Sequence, residues 1–103
     1  MFVQMISMEV PLGRIEDLRK LLYDTYIPAI QRRPGFISAH LLEQIDDDNR
    51  ANLLIYWDTQ KSVEADETGV LMGSPASIAA RLPGLHIRRQ SYIIRRSVEG
   101  VKV

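Results

Sequence analysis

The chain of 103 residues contains no cysteine, and this absence removes several kinds of chemistry. Without thiols there is no disulfide, no thiolate nucleophile, no iron–sulfur cluster and no cysteine-based zinc site. The absence also fits a reducing compartment. No apolar run approaches the ~20 residues that span a membrane, and the first ten residues lack the basic region and cleavage site of a signal peptide. We therefore expect a cytoplasmic protein without membrane contact.

The chain also lacks net charge, because 13 basic residues balance 13 acidic ones. A neutral chain gives no general case for binding nucleic acid. The charges are segregated, with an acidic stretch over residues 43–67 and a basic one over 81–103. We expect these stretches to meet within or between chains, and a separate anion site is the alternative.

Residues that could hold a metal ion are sparse. The two histidines, His40 and His86, are far apart in sequence and do not have a ligand spacing. The acidic stretch DDDN at residues 46–49 lacks the glycine and the terminal glutamate of a calcium loop. It is typical of a solvated hairpin turn instead, so we expect no metal site.

Apolar and β-branched residues fall in short runs that are typical of strands. The acidic turn joins the second and third runs into a hairpin, and the only tryptophan, Trp57, lies near the end of that hairpin. The pattern predicts these strands: 2–10, 36–43, 52–58 and 85–96.

Between the strands the apolar spacing changes to that of a helix. Pro28 interrupts the first helical pattern and removes a backbone N–H, so we expect a kink there. Asp58 or Thr59 is placed to cap the second helix, and a serine–proline pair marks the start of a third. The pattern predicts these helices: 14–33, 60–68 and 75–83.

The resulting order is β-α-β-β-α-β, the ferredoxin-like α+β arrangement with an antiparallel sheet. The length suits one domain. We expect that domain to cover residues 1–98, with a short C-terminal tail over 99–103.

Side-chain alternation predicts two different faces of the sheet. Odd-numbered strand positions are almost wholly apolar and are expected to face the helices, although Arg89 and Ser91 among them suggest a bulge in the last strand. Even-numbered positions are too apolar for water and too polar for a dry core, which favours a homodimer through the sheet face. The odd set includes Val3, Met5, Ile37, Leu53, Ile55, Trp57 and Ile87, and the even set includes Gln4, Ile6, Phe36, His40, Leu54, Tyr56 and Tyr92.

Three stretches of sequence carry a family resemblance: PGFISA at residues 34–39, the strand ending in Trp57, and LPGL at residues 82–85. Together they resemble the antibiotic biosynthesis monooxygenase family of dimeric α+β barrels, over about residues 2–96. That family includes cofactor-independent oxygenases of anthrone- or quinol-type aromatics and haem-degrading enzymes. The resemblance implies a small apolar or aromatic ligand, a homodimer and no cofactor.

The family's aromatic oxygenases are similar to this chain at one catalytic position. Their tryptophan corresponds to Trp57, but their asparagine four residues earlier is Leu53 here. Their tyrosine six residues after the tryptophan is Val63, and the arginine of their last helix falls near Ala76.

The haem-degrading members match even less. Their first-strand asparagine corresponds to Gln4 or Ser7, and their tryptophan to Asp66. Their histidine has no counterpart between Trp57 and His86.

Six residues make up the candidate site that follows from the resemblance. Trp57 would be the wall against a flat substrate, and His86 the general base. Tyr23, Tyr26, Arg81 and Leu53 would bind the substrate, with Tyr23 or Arg81 stabilising an anion. Each has a structural alternative: Trp57 as core, for example, and Arg81 as a cap of its own helix.

Three functions stay open at this point. The first is a cofactor-independent monooxygenase that acts on a small aromatic or quinol-type molecule. The alternative is a non-catalytic module of the same fold that binds a small molecule or a partner, and the third is a protein that binds or degrades haem.

Overall fold

The computed structural model describes residues 1–68 and 82–101, with side chains described over 1–64 and 82–101. These residues form a four-stranded antiparallel sheet in the order β2-β3-β1-β4. This is the ferredoxin-like strand order that the sequence predicted. The strands are β1 Phe2–Glu9, β2 Phe36–Glu43, β3 Arg50–Trp57 and β4 His86–Ile93.

The first helical segment covers one face of the sheet and is interrupted near Pro28. It consists of α1 Ile15–Leu21, a π-helical turn Leu22–Tyr26 and α2 Ile27–Gln31. The Ile27 N–H donates to the Leu22 carbonyl, five residues earlier, so the helix widens just before the proline. The departure from α-helical geometry that we expected at Pro28 therefore takes the form of the π-helical turn Leu22–Tyr26, which ends two residues before the proline.

The segment after β3 begins with the predicted cap. Helix α3 runs over Gln60–Thr68, and the Thr59 hydroxyl accepts a hydrogen bond from the Ser62 N–H at 3.1 Å. Of the two candidate caps, Thr59 therefore fills the role. The predicted helix over 75–83 lies mostly outside the described residues. The turn that should follow it is present, with Gly84 at φ +89° and the Leu85 N–H bonded to the Leu82 carbonyl.

Strand register decides which side chains face the helices. Phe2 pairs with Trp57 on one side and with Ile93 on the other, and this register continues along β1 without interruption. Even-numbered residues of β1 therefore share a face with odd-numbered residues of β3 and β4. We call this the helix face, and its opposite the outer face.

The register corrects the prediction for β1. Val3 and Met5, expected against the helices, lie on the outer face, while Gln4 and Ile6 are buried on the helix face. Odd-numbered residues of different strands need not lie on the same face of the sheet. The length of each connecting segment determines whether the odd or the even positions of the next strand face the helices.

The predicted bulge occurs in a different strand. β4 pairs with β1 in continuous register, so Arg89 and Ser91 lie on the helix face. The shift occurs in β2, between Phe36 and Ser38. It turns Phe36 onto Trp57, edge to face with ring centroids 5.8 Å apart, and leaves Ile37 exposed.

The core lies between the helix face and the first helical segment. Its centre is Leu53, Ile55 and Trp57 of β3, each fully buried, packed against Leu18 and Ile30. Among the described helices, none is long and apolar enough to cross a membrane.

Candidate functional site

Trp57 lies at the end of β3 on the helix face and is fully buried. Its edge-to-face partner Phe36 covers one side of the indole. Gly35, just before Phe36, accepts a hydrogen bond from the Asp58 N–H at 2.9 Å. The end of the first helical segment is thereby tied to the end of β3, which positions the tryptophan.

Among the described residues, the indole N–H of Trp57 has one polar partner. Nε1 donates to Oε1 of Gln4 at 3.2 Å, and Gln4 is itself fully buried. Because the amide oxygen is used in this way, the amide nitrogen of Gln4 points elsewhere. That nitrogen, Nε2, is buried without a hydrogen-bond partner among the described residues.

A second unpartnered donor lies on the next strand. Arg89 pairs with Ile6 in the sheet, so it is a diagonal neighbour of Gln4 on the helix face. Its Nη1 is buried and also lacks a hydrogen-bond partner in the described part of the chain. Neither Gln4 nor Arg89 was among the candidate site residues predicted from the sequence. The available signal was Arg89, beside Ser91, on a parity that is otherwise apolar, which we interpreted as a bulge.

An open cleft adjoins this polar region. Its volume is about 260 Å³, and it lies between β4, the start of β1 and α3. Ser91, the direct cross-strand partner of Gln4, lines it. The described lining residues are Phe2, Gln60, Val63, Ser91, Tyr92, Ile93 and Arg95.

His86 lies far from Trp57, on the opposite face of the sheet and beside the opposite end of β1. It is exposed on the outer face at the first position of β4, where it pairs with Glu9. Trp57 pairs with Phe2 on the helix face, seven residues from Glu9 along β1, which is roughly 23 Å. Within one chain these two side chains therefore do not line one site.

The remaining sequence candidates fall into different environments. Tyr26 is buried in the core, whereas Tyr23 is 54% exposed on the first helical segment. Leu53, at the position of the family's asparagine, is fully buried on the helix face. Arg81 lies outside the described residues.

One ion pair links the first helical segment to the edge of the sheet. Arg19 of α1 donates from Nε and Nη2 to the two carboxylate oxygens of Glu43, at 2.6 and 2.5 Å. This hydrogen bonding, with the attraction of the guanidinium, lowers the pKa of Glu43 despite partial desolvation. The pair fastens the helix to β2 and lies far from Trp57.

The described residues contain no cluster of three histidine, aspartate or glutamate side chains suited to a metal ion. The chemistry on the helix face is instead that of an apolar surface with three donors at diagonal positions on adjacent strands: the Trp57 N–H, the Gln4 amide and the Arg89 guanidinium. Such a surface suits a flat apolar molecule that carries an oxygen acceptor.

Solved structures with this fold include enzymes and haem-binding proteins. A putative antibiotic biosynthesis monooxygenase from Deinococcus radiodurans is 12% identical, with a TM-score of 0.81 over 99% of this chain and 100% of that one. SnoaB, a cofactor-independent oxygenase from Streptomyces nogalater, is 16% identical, with a TM-score of 0.75 over 96% and 98%. A variant of MhuD, the haem degrader of Mycobacterium tuberculosis, with two manganese protoporphyrin IX molecules per active site, is 22% identical, with a TM-score of 0.75 over 97% and 100%. At these identities the likeness shows the fold.

The amino-acid sequence, rather than the fold, shows the family of this chain. No curated protein matches the chain. The profile of the antibiotic biosynthesis monooxygenase family matches residues 1–66, which include the strand–turn–strand unit and Trp57. The chain therefore belongs to the antibiotic biosynthesis monooxygenase family.

Proposed function

We propose that this protein binds a small planar aromatic molecule on the helix face of its sheet, beside Trp57, and oxidises it with molecular oxygen without a cofactor. The observation that carries the proposal is the polar contact between Trp57 and Gln4 within an apolar layer. A purely structural layer has little use for two polar side chains at its centre, since burying polar groups is costly.

The proposed oxidation requires few catalytic groups from the protein. An anthrone that loses a proton becomes electron-rich enough to react with oxygen directly: one oxygen atom becomes the new ring carbonyl and the other leaves as water. A deprotonated hydroquinone passes two electrons to oxygen, and with two protons this gives the quinone and hydrogen peroxide. The protein has to favour the anion, hold it in place and exclude water. The family and the fold shared with a cofactor-independent oxygenase support this reaction class. His86 has no part in the proposal because it lies on the outer face.

A second candidate function is binding without turnover. Leu53 and Val63 occupy the positions of the family's asparagine and tyrosine, and both are buried in the core. Neither can donate or accept a proton, so the known catalytic arrangement of the aromatic oxygenases is absent at these two positions. A protein that shields or carries an aromatic molecule would need no replacement for them.

We also propose that two copies pair through the outer face. In the single chain this face presents Leu42 and Tyr92, each nearly half exposed, together with partly exposed Leu54 and Tyr56. His40 packs edge to face on Tyr56, which gives the face an ordered, mixed character. An uncovered surface of this kind is typical of an interface between protein chains.

Oxygen consumption distinguishes the two candidate functions. Purified protein treated with a chelator would be given a panel of anthrones and hydroquinones, with a Clark electrode as the readout. Trp57→Phe keeps an aromatic ring but loses the N–H and part of the wall. Tyr56→Phe changes an aromatic residue of the outer face that does not line the open cleft, and it is the matched control.

For an oxygenase we expect uptake above the uncatalysed rate, reduced roughly tenfold or more in Trp57→Phe and unchanged in Tyr56→Phe. Saturable binding of the same compounds without uptake would support the binding function instead. Equal uptake by the protein and Trp57→Phe, both folded, would contradict the placement of the site.

A further inference from the structure

The helix face carries a line of polar groups from β3 across β1 to β4, which we call the polar diagonal. Its members are Trp57, Gln4 and Arg89, each one strand from the next. The register makes them diagonal neighbours, at a separation that long side chains bridge. Apart from Ser91, the strand residues that surround them on the helix face are apolar, and Ile55, Leu53 and Ile6 are all buried.

Two buried donor atoms of the polar diagonal have no hydrogen-bond partner among the described residues. Gln4 is fully buried, and its Oε1 already accepts from Trp57, so Nε2 is left with its hydrogens unmatched. Nη1 of Arg89 is in the same condition. Buried donors nearly always have an acceptor in a native structure, and where no protein group supplies it, an ordered water or a bound group does. Because both atoms donate, one acceptor placed between them satisfies both.

We propose that Gln4 and Arg89 together bind the anionic oxygen of the ligand, so that the ligand is a planar aromatic molecule with an ionised hydroxyl or a carboxylate. This inference rests on the proposed function, since it places the ligand's oxygen in the same layer that receives its ring. The guanidinium selects a negative charge, because charge-assisted hydrogen bonds are the stronger ones. The Gln4 amide supplies the second donor.

The open cleft beside the polar diagonal fits this ligand class. It reaches Ser91, the neighbour of Gln4 on β4, and its walls include the apolar side chains of Phe2, Val63 and Ile93. Arg95 is its only charged described lining residue, and it is basic. An aromatic anion can therefore approach without repulsion from the described walls.

The binding of an anion also bears on the oxidation. A positive charge near a hydroxyl favours its ionised form and lowers its pKa. A phenol or quinol bound with its oxygen between Gln4 and Arg89 would therefore lose its proton more readily than in water. The ionised form is the one that donates electrons to oxygen in the proposed reaction.

The experiment compares a charged and a neutral ligand of the same shape. Equilibrium dialysis would measure the affinity of the whole protein for 2-naphthoate and for 2-methylnaphthalene. Arg89→Met removes the guanidinium from the helix face. Arg88→Met makes the same substitution one residue earlier, on the outer face, and is the matched control. Circular dichroism would establish that each variant is folded.

We expect Arg89→Met to weaken 2-naphthoate binding about tenfold or more, and to leave 2-methylnaphthalene binding unchanged. Arg88→Met should change neither. Gln4→Glu keeps an oxygen for Trp57 but replaces the free donor with an acceptor, and it should also weaken 2-naphthoate binding.

Two results would overturn the inference, and they differ. If both compounds bind and Arg89→Met affects them equally or not at all, the anion site is wrong while the apolar site of the proposed function remains. If the protein binds neither compound, the apolar site fails as well. Should Gln4→Glu not fold, the comparison of the two arginine variants decides alone.

Discussion

Gln4 is the residue on which the polarity of the helix face depends. It accepts a hydrogen bond from Trp57 on β3 and lies diagonal to Arg89 on β4, and it is the one fully buried polar residue described in the core. From the sequence it looked like a position of the mixed face, because the alternation within β1 is equally regular in either phase. Trp57 was recognisable as a candidate site residue because it is unique in the chain and follows a family pattern.

The Gln4–Trp57 contact can be measured with a double-mutant cycle. Gln4→Met leaves the buried indole N–H without an acceptor, and Trp57→Phe leaves the Gln4 oxygen without a donor. The double variant has neither unmatched group, so it should be less destabilised than the sum of the single variants, by about 1 kcal/mol. Urea unfolding would measure the free energies of unfolding of the unchanged protein, the two single variants and the double variant. Strictly additive losses would show that the two groups do not interact.

The ion pair between Arg19 and Glu43 predicts a pH dependence. The pKa of Glu43 is lowered in the folded protein, so its contribution to stability is present above the unfolded pKa and is lost as the pH falls through the folded one. Glu43→Gln should therefore lower the melting temperature slightly at pH 7, because the pair is partly exposed. The difference should disappear in acid.

Thermal melts at a series of pH values would test this. Glu99→Gln, in the C-terminal residues without regular structure, is the control and should behave like the unchanged protein. A difference for Glu43→Gln that stays constant down to pH 2 would contradict the assignment to this carboxylate.

At the scale of the elements, the junction between the first helical segment and β2 depends on Gly35. Its φ is +86°, and a Cβ there would lie 2.1 Å from Oγ of Ser62 and 2.9 Å from its Cβ. Gly13 has a similar φ of +77°, but a Cβ there would meet nothing within 4 Å. The two glycines therefore separate backbone strain from steric conflict.

We expect Gly13→Ala to cost about 1 kcal/mol of unfolding free energy, from the left-handed backbone alone. Gly35→Ala should cost a further ~1–3 kcal/mol, because α3 must move away from the end of β3. Chemical denaturation of both variants would give the two values. Equal losses would mean that the contact of Gly35 with Ser62 is easily relieved.

Most elements were predictable because each depends on local signals. Alternation gave the four strands, the acidic turn gave the hairpin, and Thr59 marked the start of α3. The phase of β1 and the bulge after Phe36 were not predictable, since both depend on pairing between strands distant in sequence. The proposed site was only partly predictable for that reason: Arg89 shares the helix face with Gln4 only through the register of β4 with β1.

For the whole molecule, the corrected outer face keeps its mixed character. Met5, Leu54 and His40 form its central row, with apolar and polar neighbours on either side. The homodimer therefore stays a prediction of this mixed face. Val3 and Met5 have replaced Gln4 and Ile6 as members of that face.

If two copies of the chain pair through the outer face, a charged side chain at the centre of that face should separate them. Leu54→Lys should shift the protein from dimer to monomer, because an unpaired ammonium would be buried between two sheets. Leu12→Lys is the matched control, since Leu12 is 87% exposed in the turn after β1. Sedimentation equilibrium would measure both masses. A monomeric unchanged protein, or a dimer that tolerates Leu54→Lys, would contradict pairing through this face.

The most direct test of the central claim uses the single tryptophan. In a ¹H–¹⁵N spectrum the indole N–H of Trp57 gives one isolated signal, which a titration with 2-naphthoate can follow. We predict that this signal shifts saturably, together with the side-chain amide of Gln4, because the ligand lies against both. If backbone signals elsewhere saturate while the Trp57 indole signal stays fixed, the ligand binds at another surface and the proposed site is wrong.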